Sequence, residues 1–236
     1  MRPIPRTLRA PRPSRLLREL AVVRELPRLA RGWSSPVCAV SAPRTVVVVP
    51  GFMTTDASTY VIRRALQRAG HRVHGWGLGR NRGDVPALIE HLRARVEALR
   101  SDHPIHLIGW SLGGYLAREV ARDRPARVAQ VITLGSPVIG GPKYTAAAAA
   151  FRDLLGADLD AIEREVARRD ATPLAVPVTA LYSERDAVVC PAACIDHHNP
   201  MVEHVAVNTT HVGFCLSAEV LAIISARLNN PPTPTL

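Results

Sequence analysis

The residues best suited to chemistry lie in Gly109-Trp110-Ser111-Leu112-Gly113, a serine with a glycine two positions to either side. A serine hydroxyl is a weak nucleophile at neutral pH and needs a base, which in turn needs an acid to orient it. The apolar run "IHLIGW" before Ser111 reads as a strand, and "LGGYLAREVARD" after it reads as a helix. A strand-to-helix turn this tight leaves no room for flanking side chains, which explains the glycines. It also sets the serine at a helix N-terminus, where exposed N–H groups favour developing negative charge. The chemistry this arrangement suits is acyl transfer.

The base must come from nine histidines. His71 and His74 lie at an early strand, and His91 lies within a helical stretch. His103 and His106 flank the strand leading to Ser111, and His197 and His198 sit in a loop. Each has a plain packing or surface explanation. His211 differs: it follows the last predicted strand in "NTTHVGF" and precedes the final helix, at the strand ends where open α/β proteins gather ligand-facing loops. The acid should follow a strand lying between Ser111 and His211. "VTALYSERDAVV" supplies Asp186, with Glu184 and Asp196 as competitors.

The elements that must position these residues alternate along the chain. "TVVVV" (45–49) is a β-branched run of the kind buried on both faces in parallel sheets. Asp56 is expected to cap a helix that Gly70 stops. A strand at "HRVHGW", a Gly-rich loop "GLGRNRGD" and a helix over about 86–100 follow, then the serine unit and a strand at "VAQVITLGS". The alternation predicts an α/β fold with a mainly parallel sheet flanked by helices. It is interrupted over 137–173, helical in composition, which is expected to form a cap insert acting as a lid or a buttress. Strands at "VPVTALYS" and "EHVAVN" and a helix at "SAEVLAIISARL" complete the domain, taken as 44–229. Residues 1–43 form a basic Pro/Arg-rich extension with one helix, and 230–236 a flexible tail.

With serine, acid and histidine in that order after successive strands, the chain resembles the α/β-hydrolase-fold serine hydrolases, in their bacterial lipase/esterase branch. "PGF" after the first buried strand and "HGWGLGRN" after the next add to the likeness, which covers about 45–228. The resemblance implies a Ser111–His211–Asp186 triad and an oxyanion hole of backbone N–H groups. One belongs to Leu112; the other belongs to Phe52 or Met53, since Pro50-Gly51 stands where the family has His-Gly. It implies cleavage of carboxylic esters, lipids included, with no cofactor and no metal. An acyltransferase or thioesterase would use the same triad, and a hydrolase-fold binding module would use none.

Other signals point elsewhere and are weaker. "GWGLGRNRGD" lacks the G-x-G-x-x-G spacing of a dinucleotide loop and reads as a packed loop beside the pocket. Cys190, Cys194, His197 and His198 have the composition but not the spacing of a zinc site. A disulfide from Cys190 or Cys194 to Cys215 would tie the acid loop to the histidine loop. The formal charge is +10, but residues 1–32 contribute +7 of it through nine arginines against Glu19 and Glu25. The body is nearly balanced, which argues against nucleic acid as a partner. No unbroken apolar segment follows the basic start, so no secretory signal is recognised and a cytoplasmic location is expected. Leu16, Leu17, Leu20, Val23 and Leu26 fall near one face of a helix kinked or ended near Pro27, expected to dock on the domain, with weak membrane-surface contact as the minority reading.

Overall fold

The computed structural model describes residues 7–34 and 42–231. The parts of the expected extension at 1–6 and 35–41, and of the expected tail at 232–236, lie outside them. A 3-10 helix (Pro13–Glu25) leads into α1 (Leu26–Ser34), then β1 (Thr45–Val49), α2 (Tyr60–Arg68), β2 (Arg72–Gly75), α3 (Val85–Ala98) and β3 (Ile105–Trp110). The chain continues through α4 (Leu112–Asp123), β4 (Val128–Leu134), α5 (Ala148–Leu155), α6 (Leu159–Asp170), β5 (Val178–Tyr182), β6 (Val202–Ala206) and α7 (Ala218–Asn229).

All six strands pair in parallel, in the order β2-β1-β3-β4-β5-β6. The valine run of β1 shows why. Val46 and Val48 pack with Ile108, Trp110 and the α2 and α7 residues Ile62, Val220 and Ile224. Val47 and Val49 point to the other face, among Leu107 and the α3 and α4 residues Leu92, Val96 and Leu116. Alternate side chains of one strand therefore build two separate cores, each roofed by its own helices. Strand order reverses between β1 and β3, and the crevice at such a reversal is the usual ligand site of an open α/β sheet.

Two local expectations need correction. Thr55, not Asp56, caps the helix after β1, its Oγ1 accepting from the Ala57 N–H. The Asp56 carboxylate instead accepts from the Trp76 and Gly77 N–H groups, pinning the loop after β2. The segment around Leu16–Leu26 begins as a 3-10 helix, and it docks through its glutamates rather than its leucines: Leu17, Leu20, Val23 and Leu26 are exposed, whereas Glu25 is buried. Near Pro27, as expected, the winding changes: the 3-10 helix ends at Glu25 and α1 begins at Leu26, with Pro27 in the first turn, where the missing N–H costs nothing.

Between β4 and β5, α6 is anchored at both ends. Arg169 pairs with Glu119 and Asp123 of α4, while Asp170 pairs with Arg118 and Arg122. Near its start, Lys143 reaches Asp160 and Glu163, and the Tyr144 hydroxyl donates to Glu163 at 2.6 Å. The contacts at its end tie α6 to α4, and those near its start tie it to the segment around Lys143 and Tyr144.

Candidate active site

Ser111 follows β3 directly and caps α4 with φ 55° and ψ −125°, one of two non-glycine residues with positive φ among those described. That conformation costs on the order of 1–3 kcal/mol and persists only where the surroundings enforce it. Here the Ser111 N–H donates to the Leu134 carbonyl of β4 at 2.9 Å, and the Gly114 N–H returns to the Ser111 carbonyl. The glycines make the turn possible: a Cβ on Gly109 would lie 2.3 Å from the Gly113 oxygen, and one on Gly113 2.4 Å from the Val49 oxygen. Packing of α4 against β1 and β3 thus forces the serine upward.

His211 and Asp186 meet as a buried pair, Nδ1 to Oδ2 at 2.7 Å. The other Asp186 oxygen accepts from the Val188 and Val189 N–H groups at 2.8 and 2.7 Å, which fixes the carboxylate and leaves Oδ2 for the imidazole. Glu184 is exposed. Asp196 is engaged elsewhere: its Oδ2 meets Arg118 at 2.5 Å and its Oδ1 accepts from His198 and Asn199. Burial pushes the Asp196 carboxyl up, but Arg118 and these hydrogen bonds outweigh it and hold it below its usual value. Of the three acids, Asp186 is the one against His211.

Ser111 and His211 line one cavity of about 630 Å³, together with Trp110 and Leu112. Its remaining wall is largely apolar, with Phe52, Tyr115, Phe151, Leu155, Ile162 and Val166. Two backbone N–H groups bear on the question left open between Phe52 and Met53. The Met53 N–H donates to the Asn81 carbonyl at 2.6 Å and is thereby occupied. The Phe52 N–H makes no hydrogen bond among the described residues. Leu112, as the first residue of α4, has no intrahelical acceptor for its N–H. The "GWGLGRN" loop braces this region: the buried Asn81 amide donates to the Pro50 carbonyl, and Arg82, Gly83 and Asp84 reach the cavity.

Two supporting residues carry no signal in the sequence. Trp110 occupies a variable position of the serine motif, yet its indole N–H donates to the His211 carbonyl at 3.0 Å and its ring lies 5.3 Å from the imidazole. Glu19 comes from the basic N-terminal segment. One of its oxygens accepts from the Ala187 N–H at 3.0 Å and the other from the Val212 N–H at 2.9 Å. A single carboxylate thus joins the residue after Asp186 to the residue after His211. Glu25 adds a bond from the Thr209 hydroxyl.

No disulfide joins those loops: Cys190, Cys194 and Cys215 are free and buried. Cys215 belongs to the core with Trp110 and Phe214, whereas Cys190 and Cys194 pack with Tyr182 and Ile195 in another cluster. Burial raises the Cys194 and Cys215 thiols above their usual range. Glu19 makes the link between loops that the cysteines do not.

Comparison with known proteins places the chain in a family. The chain is 35% identical over 95 residues to the pimeloyl-[acyl-carrier protein] methyl ester esterase of Sodalis glossinidius (strain morsitans), 39% of this chain and 37% of that protein. It is 38% identical over 76 residues to the protein of that name from Edwardsiella ictaluri (strain 93-146), 32% of this chain and 28% of the relative. The chain therefore spans about a third of the length of these curated relatives. Among solved structures, one described with the metagenome-derived lipolytic enzymes LipS and LipT superposes with a TM-score of 0.61 at 18% identity, covering 81% of this chain and 94% of its own. Naproxen esterase (carboxylesterase NP) from Bacillus subtilis gives 0.60 at 13% identity, covering 90% and 98%. At those identities the likeness is one of fold. A family model described as "alpha/beta hydrolase fold" matches residues 44–184, more than half of the chain, and the protein belongs to that family.

Proposed function

We propose that the protein is a carboxylic ester hydrolase working through an acyl-enzyme on Ser111. The observation that carries this reading is the buried Asp186–His211 pair opening on the cavity that Ser111 also lines. The names of the partial relatives, methyl ester esterases, are in keeping with it.

Ser111 Oγ attacks the ester carbonyl while His211 Nε2 takes the hydroxyl proton. Nδ1–H, held by Asp186 at 2.7 Å, keeps the imidazole in the tautomer that leaves Nε2 free, and the carboxylate stabilises the imidazolium that forms. The tetrahedral oxyanion is bound by the Leu112 and Phe52 N–H groups; the occupied Met53 N–H supports the choice of Phe52. Each such donor is worth roughly 3–4 kcal/mol of barrier in comparable sites. The ester C–O bond breaks as His211 returns the proton to the leaving alcohol. Water, deprotonated by the same imidazole, then attacks the acyl-serine and releases the carboxylic acid. The apolar wall formed by Phe52, Phe151, Leu155 and Ile162 suits an acyl chain.

The test is Ser111→Ala with a fluorophosphonate probe. The wild type should hydrolyse p-nitrophenyl esters and be labelled at Ser111, and the variant should fold, stay unlabelled and lose turnover. Undiminished hydrolysis by the variant, or no labelling of the wild type, overturns the proposal.

A further inference from the structure

The 3-10 helix over Pro13–Glu25 sorts its residues into three stripes, because a repeat of three residues per turn stacks positions i and i+3 directly above one another. Glu19, Val22 and Glu25 form the inward stripe, half-buried to buried, with both glutamates bonded to the loops that carry Asp186 and His211. Leu17, Leu20 and Val23, continued by Leu26, form a second stripe, 75%, 68%, 61% and 51% exposed. Arg15, Arg18 and Arg24 form the third, all exposed. An ordered element thus holds a row of aliphatic side chains in water beside a row of guanidinium groups.

From this arrangement we propose that the outward face of residues 15–26 docks on an anionic lipid surface. Charge selects the occupant. Glu19 and Glu25 are the only acids between residues 7 and 34, and both are spent inward, so the outward face carries cations alone. Shape agrees with it. The aliphatic row runs straight for about 18 Å along a convex helix. It has no concavity or aromatic anchor of the kind that makes a protein–protein hot spot. Leucines entering the headgroup boundary with arginines at the phosphates is how an interfacial amphipathic helix binds. Among the described residues no helix is long and apolar enough to cross a membrane, so the contact would be peripheral. The proposal does not depend on the esterase reading.

Co-sedimentation of the full chain with vesicles tests it. Wild type should partition onto phosphatidylcholine vesicles containing phosphatidylglycerol at least tenfold better than onto pure phosphatidylcholine, and should be released by 1 M salt. Arg15→Gln with Arg18→Gln should weaken binding about fivefold per arginine. Leu17→Ser with Leu20→Ser should weaken it more than tenfold. Arg64→Gln with Arg100→Gln, the same charge change elsewhere, should leave it unaltered. Circular dichroism melts of each variant establish that the fold is kept. No partition by the wild type, equal binding to neutral vesicles, or stripe variants that bind like the wild type each overturns the proposal. An acidic protein as the true partner would appear as the first of these results.

Discussion

Removing the Glu19 carboxylate separates the two loops that carry Asp186 and His211. Glu19 accepts from Ala187 and Val212, residues adjacent to that pair, across 168 and 193 positions of sequence. A backbone hydrogen bond to a charged acceptor contributes about 1.5–3 kcal/mol. Glu19 is half-exposed, so water replaces part of each bond, and Glu19→Ala should cost about 2–4 kcal/mol locally. Amide hydrogen exchange at Ala187 and Val212 should then accelerate about 30- to 1,000-fold. Glu19→Gln separates charge from geometry. Its single carbonyl oxygen can serve only one of the two amides, while its NH2 faces the other donor, so one amide should keep its protection and the other lose it. If the esterase reading holds, kcat of the alanine variant should fall about 10- to 100-fold, since misplacing a base by an ångström carries that penalty. Native exchange at both amides in Glu19→Ala would refute the claim that this carboxylate joins the loops.

Other perturbations have equally definite outcomes. Gly113→Ala drives a Cβ to 2.4 Å from the Val49 oxygen and should destabilise by about 3 kcal/mol or more, read as a fall in the denaturant midpoint. Asp196→Asn leaves the buried Arg118 without its closest partner and should cost about 3–5 kcal/mol. Replacing both by Leu and Met should recover most of that loss in a double-mutant comparison. Burial, with Arg44 and His71 nearby, lowers His106 from 6.5 to about 4, so the folded state keeps it neutral where the unfolded chain binds a proton. Stability is therefore full above pH 6.5 and declines as pH falls towards 4, by about 3 kcal/mol for this group. Denaturant titrations of His106→Leu should show that slope reduced by about one proton.

Much of the candidate site is legible in the sequence alone. The run at 45–49, the Gly109–Gly113 turn and the order Ser111, Asp186, His211 follow from local rules: β-branched residues fill a strand buried on both sides, and glycines stand where a Cβ would strike backbone. Order along a parallel sheet then puts the ends of β3, β5 and β6 on one edge. The choice of Asp186 over Asp196 was less legible. Both acids are buried after β5, and only the fold sends one to His211 and the other to Arg118. That the Asn81 carbonyl takes the Met53 N–H is likewise invisible in the sequence.

The N-terminal segment shows where sequence alone misleads. Read at 3.6 residues per turn, Leu16 to Leu26 looks like a face to be buried; wound at three, the same residues leave their leucines in water and turn Glu19 and Glu25 inward. Helical period is settled by what the chain packs against, here the loops carrying Asp186 and His211 with N–H groups to satisfy. The sequence determined the strand pattern, the turn at Ser111 and the succession of candidate residues, because these show as local patterns of residue type: β-branched runs, paired glycines and order along the chain. Tertiary structure decided which acid meets His211 and which face of the basic segment meets the loops beside it, because those partners lie up to 193 residues apart.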